Sequence, residues 1–361
     1  MSNDQILRPH AEQAYAEELK VLKEADQHPR PANWQLSPPA VVRYIMGGEL
    51  EDGTMISTKY YGNKRLIELA VATLVTDRAL LLVGIPGTAK TWLSEHLSAA
   101  ISGSSKLLVQ GTAGLSEESL RYGWNYAQLL AHGPSEAALV ASPIMKAMAE
   151  GKIARVEELT RIPSDVQDAL ITVLSEKVLP IPELNTEAPA IAGFNLIATA
   201  NDRDRGINEL SSALRRRFNT IVMPLPSSLE EEVKIVKERV DQIGQKMELP
   251  PQAAPVEEIQ RLVTIFRELR SGKTADGKRK LKIPTSTLST AEAISVVNNG
   301  QALATHFGDG TITAEDIAAG LLGAVVKDVA QDRMVWEEYL EAVVKEREGW
   351  GDIYEASKQL L

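Results

Sequence analysis

The chain has no cysteine among its 361 residues. That excludes disulfides, thiolate metal sites and a cysteine nucleophile, and it suits a reducing compartment such as the cytoplasm. Histidine is scarce. The five residues His10, His28, His96, His132 and His306 are scattered, and no two have the spacing of a zinc site. Long apolar runs are also missing. The longest, Ile317–Val326, is bounded by Asp316 and Lys327. It falls well short of the roughly 20 residues a membrane helix needs and reads as a buried helix. The opening MSNDQILRPH lacks the apolar core of a signal peptide. Positive charge is in deficit, with 39 Lys and Arg against 49 Asp and Glu. Nucleic-acid binders usually carry a basic face, so this balance favours a protein partner over nucleic acid.

What remains is an ordinary globular composition on a chain long enough for two domains. Near the N-terminus Tyr15, Leu19 and Leu22 fall at i, i+4, i+7 and give a helix with a narrow apolar stripe. Docking on the chain's own body is favoured over an arm reaching a neighbouring subunit. Gln27–Pro39 carries Pro29, Pro31, Pro38 and Pro39 and reads as a linker. From about Thr58 the pattern becomes helices alternating with short apolar strands. A helix over Asn63–Thr76 precedes strands at Ala79–Val83, Lys106–Val109, Ile153–Val156, Asn195–Ala200 and Thr220–Met223, with a further helix from Lys90. Such strands indicate a parallel sheet covered on both faces. Beyond Pro226 the strands stop. Capping boxes at Ser227 or Ser228 open a helical region, with helices expected at Pro255–Leu269, Ser289–Thr305, Thr313–Asp328 and Met334–Glu346. Ser289 with Glu292 and Thr313 with Asp316 are further cap signals. Ser271–Lys282 is expected to be a mobile loop. The expected division is an arm and linker over 1–57, an α/β nucleotide-binding domain over 58–225 and an α-helical lid over 226–361.

The chemistry concentrates at Gly84-Ile85-Pro86-Gly87-Thr88-Ala89-Lys90-Thr91, between an apolar strand and a helix. Backbone N–H groups at such a turn point at a phosphate. Gly84 and Gly87 let the backbone turn and approach closely. Lys90 neutralises β/γ-phosphates, and the Thr91 hydroxyl takes one Mg²⁺ position. The second glycine of the usual pattern is replaced by Ala89. Hydrolysis also needs an acidic pair on a neighbouring strand, and Glu157-Glu158 at the end of Ile153–Val156 supplies one. Glu157 would hold the magnesium shell through water, and Glu158 would polarise the attacking water. Asp is usual at the first position, and Arg155 interrupts the apolar strand. Ser164 reads as a helix cap. Asn195–Ala200 ends in Asn201, whose amide can bond a γ-phosphate and the attacking water. Arg215, Arg216 and Arg217 close a helix just before a strand. Alone they could be a solvated helix end. After the earlier motifs, in this order, they read as an arginine finger.

In these motifs the chain resembles the AAA+ ATPases of the MoxR type and, within them, the YehL-like branch. The residues that carry the resemblance are Gly84–Thr91 with alanine before the lysine, Glu157–Pro163, Asn201 and Arg217-Phe218. Tyr61-Gly62-Asn63 resembles the family's segment leading into the adenine pocket. The resemblance covers about Thr58–Asp328. It implies Walker A at Gly84–Thr91, Walker B at Glu157 and Glu158, sensor 1 at Asn201, and a finger at Arg217 with Arg216 second. It implies a P-loop AAA+ core with a five-stranded parallel sheet flanked by helices, plus a C-terminal all-α lid. It also implies ATP and Mg²⁺ as ligands and a homo-oligomeric ring, commonly a hexamer. The implied role is chaperone-like, on a protein client bearing a von Willebrand A domain. Gly111–Tyr126 and Leu179–Ile191 would be the family's two inserted elements on the pore side. One expected motif is absent. Ile283–Leu288 offers no sensor-2 arginine, and Lys280 and Lys282 are the nearby cations. Two other readings stand beside this one. A nucleic-acid motor on the same core would need basic pore loops, and Thr112–Glu118 is acidic. An ATP-binding scaffold with weak hydrolysis would fit Glu157 and the absent arginine.

Overall fold

A computed structural model describes residues 7–201, 208–246 and 255–361. Five apolar segments form a parallel sheet: β1 (Ala79–Val83), β2 (Leu108–Gln110), β3 (Ile153–Glu157), β4 (Asn195–Ala200) and β5 (Phe218–Val222). The strand order is β5-β1-β4-β3-β2, with every neighbouring pair parallel. Successive side chains of a strand face opposite sides. Leu80, Leu82 and Ile197 enter one buried cluster, while Ala79, Leu81, Leu196 and Ala198 enter another. Each fully buried Leu or Ile contributes about 2 kcal/mol relative to exposure, which is why these short strands need no polar face.

Helices of seven residues or more are numbered in chain order. In the first unit they are α1 (Ala16–Ala25), α2 (Pro38–Met46), α3 (Lys64–Val75), α4 (Lys90–Ser102), α5 (Tyr126–His132), α6 (Pro143–Glu150) and α7 (Leu170–Glu176). The stripe of Tyr15, Leu19 and Leu22 packs into the same cluster as Leu80 and Leu82. Ahead of α1, the short turn Ala11–Ala14 is tied to α4: Ala11 N–H donates to Glu95 Oε1 at 3.1 Å. Glu12 accepts from the Ser105 N–H at 3.1 Å and its hydroxyl at 2.8 Å. The N-terminal segment is therefore docked on its own body.

The proline-bearing connector is ordered. Trp34 and Leu36 are buried, and Gln35 N–H donates to Ile101 O at 2.7 Å. Its last two prolines open α2, which the sequence reading had folded into the linker. Proline is well placed in a first helical turn, and Ser37 caps it by accepting from Ala40 N–H. Ser164 does not cap a helix: it begins the short helix Ser164–Gln167, for which Pro163 is the N-cap.

The chain divides into a unit of Met1–Ile85 with Ala89–Met223 and a unit of Pro224–Leu361 with Pro86–Thr88. Residues 7–57 thus belong with the α/β unit and do not stand apart. The second unit carries α8 (Leu229–Lys246), α9 (Val256–Ser271), α10 (Thr290–Phe307), α11 (Ala314–Val325), α12 (Asp332–Tyr339) and α13 (Gly351–Gln359) around one apolar core. Ser289 with Glu292 and Thr313 with Asp316 form complete capping boxes. The expected loop at Ser271–Lys282 is instead a pinned turn. Lys273 pairs with Lys280, and Ala275 N–H donates to the buried Glu268 at 2.7 Å. No helix among the described residues is long and apolar enough to cross a membrane.

Candidate functional site

The parallel register brings three strand ends together. Ala200 of β4 lies opposite Val83 of β1, and Ala198 lies opposite Val156 of β3. Gly84, Glu157-Glu158 and Asn201 therefore emerge side by side, with Gly84 N–H donating to Ala200 O at 3.3 Å. Gly87 has φ +81° and Ala89 has φ +61°. Ala89 thus holds the left-handed conformation that makes glycine usual at this place, at a cost of about 1–2 kcal/mol. Helices α2, α3 and α6 have side-chain caps from Ser37, Asn63 and Ser142. The first turn of α4 has none. The positive end of its dipole faces the loop, the arrangement that favours an anion. Lys90 is buried and donates to the carbonyls of Gly84 at 2.7 Å and Ile85 at 2.8 Å, which holds the ammonium against the loop.

The Thr91 hydroxyl donates to Glu157 Oε2 at 2.9 Å. Giving its proton to the carboxylate leaves its oxygen lone pairs for a cation. Thr199 donates to the same Oε2 at 2.6 Å, and Ser94 donates to Oε1. Arg155 Nη2 reaches Oε1 at 2.8 Å. Arg155, which had read as an interruption of the strand, is thus the buried counter-charge of Glu157. Glu158 adopts φ +53° and pairs with Arg161 Nε at 2.6 Å. Both side chains are substantially exposed, so this pair is worth at most about 1 kcal/mol and restrains Glu158 only weakly. The donor set fits a phosphate chain with its divalent cation: an uncapped helix start, a lysine, a hydroxyl and a carboxylate behind it.

Sequence reasoning missed four residues here. Ser94 and Thr199 carry no motif. Arg155 was noticed for the wrong reason. A Cβ at Gly111 would sit 2.3 Å from Glu158 O and 2.8 Å from Glu157 O, so only glycine lets the end of β2 pass the acidic turn. Gly62, with φ +136°, precedes Asn63, which caps α3 by accepting from Arg65 N–H at 2.8 Å. Gly62 is a turn residue lying against the Tyr60 ring.

The three arginines have different surroundings. Arg217 is half-buried and bonded to Ser175 Oγ and Ala213 O. Arg215 and Arg216 are exposed, and their side chains have no partner among the described residues. The stretch expected to hold the first inserted element, Gly111–Tyr126, contains the strand Tyr122–Trp124, which pairs with Leu139–Ala141 in a hairpin carrying α5. The stretch expected to hold the second, Leu179–Ile191, falls largely in the hairpin of Val178–Ile181 with Thr186–Pro189. In the second unit Lys282 pairs with Glu338 at 2.5 Å. Arg270 in α9 bonds Glu232 at 2.9 Å and Leu288 O at 3.0 Å.

The sheet, its phosphate loop and the helical second unit define a P-loop AAA+ protein. A family model for the AAA domain of the dynein-related subfamily matches residues 79–218, and one for the YehL-like AAA+ ATPase C-terminal domain matches residues 230–360. The uncharacterised protein YehL of Escherichia coli (strain K12) is 40% identical over 366 residues, covering 99% of each chain. The uncharacterised protein SAUSA300_1302 of Staphylococcus aureus (strain USA300) is 30% identical over 46% of this chain and 64% of its own. Among solved structures, NtrX from Brucella abortus in complex with ADP shares the fold with a TM-score of 0.51 at 14% identity, covering 83% of this chain and 66% of that one. The chain belongs to the YehL-like family of AAA+ ATPases, of the MoxR type.

Proposed function

We propose that the protein binds Mg·ATP at Gly84–Thr91, hydrolyses it at a site completed by a second copy, and uses the cycle to remodel a protein client. The observation that carries this reading is the convergence of the uncapped start of α4, Lys90, Glu157, Glu158 and Asn201 at adjoining strand ends. The loop N–H groups and Lys90 would bind the phosphates. Thr91, backed by Glu157, would hold Mg²⁺, which neutralises the charge that develops on the phosphoryl oxygens. Glu158 would orient and polarise the attacking water, with Asn201 beside it. Binding of ADP in NtrX, a protein of the same fold, agrees with a nucleotide at this loop. The finger is assigned to the exposed Arg216, with Arg215 beside it, since Arg217 is engaged by its own chain.

A ring, commonly a hexamer, and a von Willebrand A-domain client follow from the MoxR resemblance. The acidic Thr112–Glu118 stretch and the net charge of −10 support a protein client over nucleic acid. The test mixes two inactive proteins, Lys90→Ala and Arg216→Ala, and reads phosphate release. Lys90→Ala should lose nucleotide binding, and Arg216→Ala should keep it. In a ring, some interfaces restore an intact loop facing an intact finger, so activity should return on mixing and rise with concentration. No recovery in mixtures that light scattering shows to co-assemble would refute the shared site.

A further inference from the structure

Arg155 lies inside an otherwise apolar strand with its side chain 3% exposed. Four donor directions are used: Nε to Ser94 Oγ at 3.2 Å, Nη1 to Ser105 O at 3.1 Å, and Nη2 to Thr91 O at 3.3 Å and Glu157 Oε1 at 2.8 Å. Glu157, 1% exposed, receives Arg155 and Ser94 on one oxygen and Thr91 and Thr199 on the other. A carboxylate offers about four lone-pair directions, so those of Glu157 are filled by protein groups. Its charge is also offset, since Arg155 stands in ion-pair contact. Among the described residues there is no group of three or more His, Cys, Asp or Glu side chains that could hold a metal.

From this closed arrangement we infer that Arg155 is a positioning residue that makes cation binding conditional on nucleotide. It fixes the Glu157 carboxylate behind Thr91 and cancels its charge. The protein alone therefore presents a hydroxyl with little net negative field, and Mg²⁺ is held only when phosphates supply the missing charge. Magnesium gives up its water reluctantly and is generally bound by one or two carboxylates together with substrate phosphates. Arg155 removes most of the pull of that one carboxylate. The inference rests on the proposed Mg·ATP site.

The test uses the full chain without nucleotide, titrated with Mg²⁺ and separately with Mn²⁺. Thermal midpoint and calorimetric binding are the readouts, followed by the Mg²⁺ dependence of fluorescent ADP binding. Wild type should show no midpoint shift with cation alone. Arg155→Gln, which removes the charge and keeps an amide near Glu157, should gain a cation-induced shift. Its half-saturating Mg²⁺ for ADP should fall about tenfold or more, the Coulomb effect of one charge on a divalent ion at close range. Arg155→Lys should keep the wild-type response, and Arg155→Gln with Glu157→Gln should lose the gained one. An Arg155→Gln protein that folds only with Mg²⁺ present also supports the inference. An unchanged Mg²⁺ dependence in Arg155→Gln, or a fold recovered by Glu157→Gln and not by Mg²⁺, overturns it. Absence of Mg²⁺-dependent ADP binding in wild type would instead overturn the site reading beneath it.

Discussion

Both units bury carboxylates, and they use them differently. In the second unit Glu232 is closed by Arg267 at 3.0 Å, Arg270 at 2.9 Å and Thr290 Oγ1 at 2.8 Å. Glu268 is closed by Tyr339 at 2.6 Å, Arg347 at 2.7 Å and Ala275 N–H at 2.7 Å. Asp332 accepts Thr285 N–H and hydroxyl at 2.7 and 2.9 Å and the N–H groups of Lys327 and Asp328 at 3.0 and 2.8 Å. Each of these acids ties helices or turns to one another. In the first unit Glu157 is equally buried and equally saturated. One of its donors, though, is Thr91 at the mouth of the phosphate loop, and its chain neighbour Glu158 is partly exposed. Saturation alone therefore does not separate a structural acid from a functional one. What separates them is whether a partner has a second allegiance.

The largest expected effect lies at the exposed arginines. Arg216→Ala should lower ATP turnover by about 10³–10⁵, as removal of a finger in trans does, with nucleotide affinity and melting unchanged. Arg217→Ala should instead lower the melting temperature, since that side chain anchors to Ser175 and Ala213. The reverse pattern would return the finger to Arg217.

On the structural side, Glu232→Ala leaves two arginines without their buried partner. It should cost about 3–5 kcal/mol in chemical denaturation. A loss near zero would mean that the acids of the second unit are not what holds its helices.

Acid titration sharpens the contrast further. Burial pushes the Asp332 carboxyl up, but donors from Thr285, Asp328 and Lys327 outweigh it and hold it below the usual 3.8. A depressed folded value means that stability is present above the ordinary carboxylate range and is lost as pH falls through the folded value. Asp332→Asn should destabilise at neutral pH, and the gap to wild type should narrow as pH falls below the ordinary carboxylate range. A pH-independent gap would contradict this.

A further effect is expected at Gly111. Alanine there meets the carbonyls of Glu157 and Glu158, so Gly111→Ala should cost about 1–3 kcal/mol and slow turnover by moving the acidic turn. Unchanged turnover would show that the turn tolerates displacement.

The sheet was legible because its strands are short, apolar and uniformly buried. Ala79–Val83 and Asn195–Ala200 have the expected limits. The phosphate loop was legible because glycine, lysine and threonine stand between a strand and a helix. Three kinds of feature were not. The hairpins at Tyr122–Ala141 and Val178–Pro189 use strands of three or four residues, too short to show a period. Helix α2 was hidden by Pro38 and Pro39, which mark a linker and a helix start equally well. The partners of Glu157 were hidden because Ser94, Arg155 and Thr199 come together only when α4, β3 and β4 pack. The contacts of Arg217 with Ser175 and Ala213 likewise depend on the fold and cannot be read from the sequence.

Hydrolysis at this site requires the acid at the open end of the β3 turn to be a reactive group and not a further structural one. Glu158→Gln tests this directly when phosphate release, ATP affinity and melting temperature are measured on the same preparation. Turnover should fall by about 10²–10⁴, with affinity and melting unchanged. Full turnover by Glu158→Gln would contradict the assignment, and so would a loss of turnover fully explained by a fall in melting temperature.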